Sequence, residues 1–308
     1  MGAGLGNTAK GLLAVAGSSL IWGLFPLYVA LAAREGLAPT EIVAHRILWT
    51  LALFGAVLAA RGRWPELRAA LSGRALGGTV LAAALVSANW WVFIWGVAHG
   101  YAVQASVGYY LLPLVMAGLA RLILGERLTP ATRIALALAG LAVGVLALGL
   151  GVTPWLALAV AISFGLYSIV KRRSRAGPVV SVTAEVVVLA PLALIWVIWL
   201  EATGAGHLRA GVAPVATLMG FGVLTGVPLI LFSRAARLAP LALVGLVSYL
   251  NPTLQLIVAA TALGGTVTLW HLIALGLIWA GLALVTLDAL RRRRVPVPPA
   301  APAHPRPR

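Results

Sequence analysis

The sequence predicts an all-α integral membrane protein: ten transmembrane helices as two inverted five-helix repeats, with both termini in the cytoplasm. Three observations carry this prediction: composition, the distribution of basic residues, and an internal repeat. Of the 308 residues, 61% are hydrophobic and 10% charged, and the mean hydropathy is +1.01. Soluble domains are roughly half apolar and a quarter charged. At about 20 residues per crossing, ten helices consume most of the chain and leave no separate soluble domain of ordinary size.

Apolar runs of spanning length lie near 11–32, 41–60, 76–99, 102–124, 131–148, 153–170, 180–200, 213–233, 241–263 and 268–290. Lys10 precedes the first, and Ala30-Leu31-Ala32 resembles a signal cleavage site. That run is nevertheless too long for a signal h-region and has an internal counterpart, so it counts as a span. After it, residues 291–308 read as a basic, proline-rich cytoplasmic tail, disordered and solvated. Arg291 to Arg294 would hold that end against anionic lipid headgroups.

With the N-terminus inside, twenty of the 23 lysines and arginines fall on the cytoplasmic side. Only Arg34 and Arg209 lie outside, and Arg46 lies within a span. Cytoplasmic connections retain bases, so the net charge of +16 records orientation and lipid contact and not a nucleic-acid partner. The chain has no cysteine, which excludes disulfides, thiol catalysis and thiolate metal sites. No cofactor is called for.

The repeat appears where Tyr110-Leu111-Leu112-Pro113 matches Tyr249-Leu250-Asn251-Pro252 at an offset of 139. The same offset pairs Leu124-Gly125 with Leu263-Gly264, Thr129 with Thr268, and Phe93 with Phe232. Trp22-Gly23-Leu24-Phe25 aligns with Phe164-Gly165-Leu166-Tyr167 at 142, and Glu41 with Glu185 at 144. The repeats would occupy 11–148 and 153–290. Five is odd, so the second copy must enter the membrane from the opposite side. Inverted repeats are common among secondary transporters, because two equivalent halves offer two access states of similar energy.

These residues resemble the drug/metabolite transporter superfamily, its EamA family and, within it, the RarD-type permeases. The likeness rests on Ile21-Trp22-Gly23 with Pro26, Glu41-Ile42 followed by His45-Arg46 and Trp49, Asn89-Trp90 with Phe93-Ile94-Trp95, and Gly108-Tyr109 with Pro113. It continues through Leu124-Gly125-Glu126-Arg127, Ser163-Phe164 with Tyr167, Glu185, Val227-Pro228 and Tyr249 with Pro252-Thr253. The resemblance implies alternating access around a central cavity and export of metabolites or drug-like molecules across the bacterial inner membrane. Leu112 stands where the family pattern has Asn, Arg121 adds a base, and Gly264-Gly265 replaces the usual Gly-Glu.

An ionisable group inside a span needs a partner, a wet cavity or a shallow position. Glu41 and His45 are one turn apart on one helix face, which Trp49 continues, while Arg46 points about 100° away. Arg46 and His45 are expected at a cavity or gate, with Arg46 binding an anionic part of the substrate or locking a carboxylate. Helix-start complementation by Glu41 and outward snorkelling by Arg46 are the plain alternatives. Glu185 is the lone acid of the seventh span and the counterpart of Glu41. Alternation of its carboxyl between wet and buried states would couple transport to protons; simple helix-start complementation accounts for it equally well.

Substrate-binding or gating roles are also expected for Trp22, Asn89, Trp90, Tyr109, Tyr167, Tyr249 and Asn251. Asn251 and Gln255 would share a cavity-facing side or bond a neighbouring helix. His99 and His207 read as solvated loop residues, and His271 and Asp288 as interfacial. Gly140 and Gly144 form a G-x-x-x-G that would pack the repeats together or support a homodimer; monomer and homodimer both stay open. The expected partners are a small-molecule substrate, membrane lipids and a proton, with no nucleic acid. A facilitative uniporter or exchanger, a channel-like pore and an intramembrane enzyme are the rival readings. No H-E-x-x-H, G-x-S-x-G or Walker motif supports enzymatic or nucleotide-driven chemistry.

Overall fold

The computed structural model describes residues 2–150, 154–172, 174, 176–239, 244 and 247–293. The proline-rich tail from 294, the bases Arg173 and Arg175, the repeat boundary at 151–153 and the predicted ninth-span start at 241–243 lie outside the described residues.

The described residues form helices joined by short connections, with no strand among them. The first predicted span, near 11–32, is built of two helices, α1 (Gly2–Gly23) and α2 (Phe25–Arg34). Pro26 explains the break: it lacks an N–H and crowds the carbonyl four residues back, that of Trp22. Gln255 Nε2 donates to that carbonyl across the bundle at 3.2 Å. Next come α3 (Pro39–Ala60), a short unpredicted helix α4 (Trp64–Ala70), α5 (Gly73–Ala98), α6 (Ala102–Leu124) and α7 (Pro130–Leu150). The second half holds α8 (Trp155–Arg172), α9 (Pro178–Thr203), α10 (Val212–Leu238), α11 (Leu250–Thr261) and α12 (Leu269–Arg293). The last helix therefore continues into the arginine run assigned above to the tail.

Among the described residues, eight helices are long and apolar enough to cross a membrane, against ten spans expected. The shorter α8 and α11 stand where the sixth and ninth were placed. Bulky apolar side chains project outward, such as Leu13, Leu122, Leu148, Ile195 and Val212. In water such a surface would aggregate; in hydrocarbon it is the solvated surface. Together with the composition, it makes the chain a multi-pass membrane protein.

Packing follows a paired pattern. Helix α1 packs on α10 as α5 packs on α8; α3 meets α10 as α5 meets α9; α6 meets α8 as α1 meets α11. The remaining strong pairs, α3 with α9, α6 with α11 and α7 with α12, join helices that hold the same place in the two halves. Local geometry recurs at the 139-residue spacing too. Gly125, at the end of α6, and Gly264, just beyond the end of α11, have φ of 68° and 67°, a left-handed conformation suited to glycine. After each, the next amide reaches back to Ala120 or Ala259. Thr129 Oγ1 caps α7 by accepting the Thr132 amide, and at the start of α12 His271 Nδ1 accepts the Thr268 amide and lies 2.9 Å from Thr268 Oγ1. His271 is thus a buried residue of the first turn of α12.

The largest buried cluster lies between α2, α3, α5, α9 and α10, with Phe25, Phe54, Trp90, Phe93 and Phe221 among its members. A second, built from α6, α7, α8 and α12, flanks it. A Cβ at Gly140 or Gly144 would meet nothing within 4 Å, so the G-x-x-x-G does not pack the two halves together.

Candidate functional site at the bundle centre

Helices α3 and α9 run antiparallel. The start of α3 meets the loop that follows α9, while Leu58 near its end clusters with Val180 and Ala184 at the start of α9. Glu41 and Glu185 therefore sit at opposite ends of this pair, and both are 1% exposed.

At the Glu41 end, the carboxylate accepts the His207 backbone N–H at 2.9 Å and lies 2.9 Å from His207 Nδ1. His207 is hence not a solvated loop residue: the loop between α9 and α10 folds back, and its histidine closes over Glu41. Glu201 assists by accepting the Leu208 amide at 2.9 Å. At the other end, Glu185 accepts from Lys171 Nζ at 2.5 Å, from Tyr167 OH at 3.1 Å and from Ser181 Oγ at 3.3 Å. Lys171 also bonds Ser181. Tyr167 and Lys171 are one turn apart on α8, so a single helix face presents both to α9.

Between these ends lies Arg46, 6% exposed. Its Nε donates to Thr225 Oγ1 of α10 at 2.7 Å. Its guanidinium carbon stands 4.1 Å from the Trp90 ring centroid and 4.9 Å from that of Phe25. These contacts distribute the charge over two π faces. Among the described residues, no carboxylate pairs with Arg46. On the same helix, His45 Nε2, Trp49 Nε1 and Thr50 Oγ1 are buried and have no hydrogen-bond partner.

Beside Arg46, Tyr109 OH donates to Asn89 Oδ1 at 3.2 Å, and Asn89 Nδ2 donates to the Val160 carbonyl and Ser163 Oγ at 3.0 Å each. A column of rings threads the centre in the order Tyr28, Phe221, Phe25, Phe93, Tyr109, Phe164, Tyr167, with neighbouring centroids 4.9 to 6.2 Å apart. It starts where Tyr28 OH donates to the Thr217 carbonyl and ends on Glu185.

The structure brings Arg46, Trp90, Asn89, Tyr109, Tyr167 and Glu185 into this one chain of contacts, with Glu41 and His45 toward its opposite end. It does not bring Tyr249 or Asn251 there. Tyr249 lines a separate apolar cavity of about 690 Å³ with Tyr110, Thr253, Trp279 and Thr286. Asn251 Oδ1 accepts from Gln255 Nε2 at 2.9 Å, and that same amide group holds the Trp22 carbonyl. Trp22 itself leans on Phe232, with centroids 6.5 Å apart. His99 is exposed as expected, and stacks on Trp95 at 4.3 Å.

Sequence reasoning missed Thr225, Phe25, Ser181 and Lys171 as partners. Lys171 was detectable from its one-turn spacing to Tyr167. Thr225 was not, because 179 residues separate it from Arg46.

Comparison with known proteins matches residues 9–148 to the EamA-like transporter family. Protein RarD of Streptomyces exfoliatus is 39% identical over 286 residues, covering 92% of this chain and 90% of that one. The uncharacterized transporter YojE of Bacillus subtilis is 35% identical, covering 94% and 97%. Protein RarD of Escherichia coli is 28% identical, covering 94% and 97%. A solved crystal structure superposes with a TM-score of 0.60 at 21% identity, over 93% of this chain and 99% of that one, and so shares the fold.

Proposed function

This chain belongs to the EamA-like transporter family, in its RarD branch, and from that premise we propose that it exports small metabolites or drug-like molecules by alternating access. It is a membrane transporter and not an enzyme. In our reading it spans the bacterial inner membrane as two inverted repeats, 11–148 and 153–290, with both termini cytoplasmic. Its basic face contacts anionic lipid headgroups.

The observation that supports this most is one hydrogen bond and its counterpart. Ser18 Oγ of α1 donates to the Pro228 carbonyl of α10 at 2.9 Å. Exchanging the halves moves position 18 to 160 and position 228 to 89, where Asn89 donates to the Val160 carbonyl at 3.0 Å. Two helix pairs held at equivalent points let one half rock against the other with little difference in energy, which is what alternating access requires.

The central site comprises Arg46, Trp90, Asn89, Tyr109 and Tyr167. Glu41 with His45 and His207 latches one end; Glu185 with Lys171 latches the other. Breaking one latch while the other holds opens one side at a time. Glu185 is the candidate proton carrier, since opening its end would wet a carboxyl that is buried here.

Counterflow in reconstituted liposomes tests the reading. A carrier shows saturable exchange stimulated by substrate on the far side; conductance without saturation would establish a pore instead. Exchange and net transport that ignore an imposed pH gradient would remove the proton from the scheme.

A further inference from the structure

We propose that the substrate of the Arg46 site is a small organic monoanion, a carboxylate carried on a flat apolar body such as an aromatic ring. This rests on the carrier reading above and names the class of solute.

The first argument is charge. Arg46 is buried, and among the described residues its side-chain partners are one hydroxyl and two ring faces, none of them anionic. Lys171, the base at the Glu185 end, is committed to that carboxylate. A guanidinium held in the low-dielectric centre of a membrane protein is costly without a counter-charge. Its Nε is taken by Thr225, which leaves the two terminal nitrogens to meet a ligand. Those nitrogens form a planar fork matched to the two oxygens of a carboxylate. One cation at the site balances one negative charge, which favours a carboxylate over a phosphate dianion.

The second argument is donor count. Thr50 lies one turn after Arg46 on its face of α3, and Trp49, three residues on, lies between that face and the His45 face. Trp49 Nε1 can only donate, and Thr50 Oγ1 can donate; both are buried and unpartnered. A face with an excess of donors suits a ligand rich in acceptors. The third argument is shape: Phe25 and Trp90 at the guanidinium, continuing into Phe93 and Tyr109, offer ring faces for an apolar body.

The test uses the full-length protein in lipid nanodiscs, with benzoate and 2-naphthoate as probes. Their primary amides share the shape without the charge, and acetate shares the charge without the ring. Calorimetric titration is expected to show both aryl carboxylates binding at least about tenfold more tightly than the amides and than acetate. Arg46→Gln is expected to erase the preference for acid over amide, and Arg46→Lys to retain part of it. If Arg46→Gln does not fold, Thr50→Val is the second variant and is expected to weaken carboxylate binding at least about threefold. Equal binding of acids and amides by the wild type, including no binding of either, overturns the proposal.

Counterflow separates the two claims. Vesicles that exchange a neutral or cationic solute and ignore the acids would sustain the carrier and overturn the anion. Carboxylates that bind at Arg46 in a protein that exchanges nothing would do the reverse.

Discussion

Glu41 is bound twice by His207, 166 residues away: by its backbone amide and by its ring nitrogen Nδ1, each at 2.9 Å. The contact ties the loop after α9 to the first turn of α3. Glu41→Ala would leave a half-buried amide unsatisfied, at a cost of about 1 kcal/mol. Amide hydrogen exchange over residues 204–211 is expected to rise sharply in that variant while α7 and α12 stay as protected as in the wild type. Glu41→Gln should fall between, because its amide oxygen still accepts from the backbone. Unchanged exchange over that loop in Glu41→Ala would show that the loop is held by other contacts.

This pair also marks where sequence reading runs out. A histidine in a polar connection between apolar runs signals solvent, and nothing local indicates that the loop returns to cover the start of α3. The helices themselves were legible because lipid and neighbouring helices both demand long apolar runs. The break between α1 and α2 was legible in principle from Pro26. Arg46 was visible as a charge too deep to be solvated, yet its contacts with Thr225, Trp90 and Phe25 come from three other helices and leave no trace in spacing. Tyr249 lies apart from the Arg46 site for the converse reason: its repeat partner Tyr110 lines the same separate cavity, and the motif they share marks that cavity.

Ser18 and Asn89 are the side-chain donors of the two equivalent helix-pair contacts, and their unequal bonding sets the order of their mutational costs. Ser18 makes one bond, to the Pro228 carbonyl. Asn89 makes three, to Val160, Ser163 and Tyr109. Side-chain hydrogen bonds within membranes average about 0.6 kcal/mol. Ser18→Ala is therefore expected to cost about that much and Asn89→Ala about two to three times as much. Thermal unfolding of the two variants in one detergent checks the ranking, and equal melting temperatures would contradict it.

The Lys171–Glu185 pair predicts strong coupling in a double-mutant cycle. Removing the lysine leaves a carboxylate 1% exposed with only neutral donors. Lys171→Met should thus destabilise more than the double variant Lys171→Met/Glu185→Gln, with a coupling energy of about 0.5–3 kcal/mol. The lower part of that range is the better guide, because the lysine side chain keeps 22% of its exposure. Strictly additive losses would mean that the pair is held apart in the native ensemble.

Glycines distinguish packed faces from open ones. A Cβ at Gly108 would stand 2.7 Å from the Ala157 carbonyl oxygen and 2.9 Å from Val160 Cβ, so α6 and α8 would have to separate. Backbone cannot swing aside as a side chain does, and Gly108→Ala is expected to cost about 1–3 kcal/mol. Gly222→Ala should behave alike, because its Cβ would lie 2.7 Å from the Trp49 carbonyl carbon, at the α3–α10 contact beside Arg46. Gly140→Ala meets no atom within 4 Å and removes a flexible residue from a helix interior. It should be neutral, or more stable by up to about 1 kcal/mol. Melting temperatures in detergent rank the three. If Gly140→Ala proved as damaging as Gly108→Ala, its face would be covered by something other than this chain, and cross-linking between copies would then be the measurement to make.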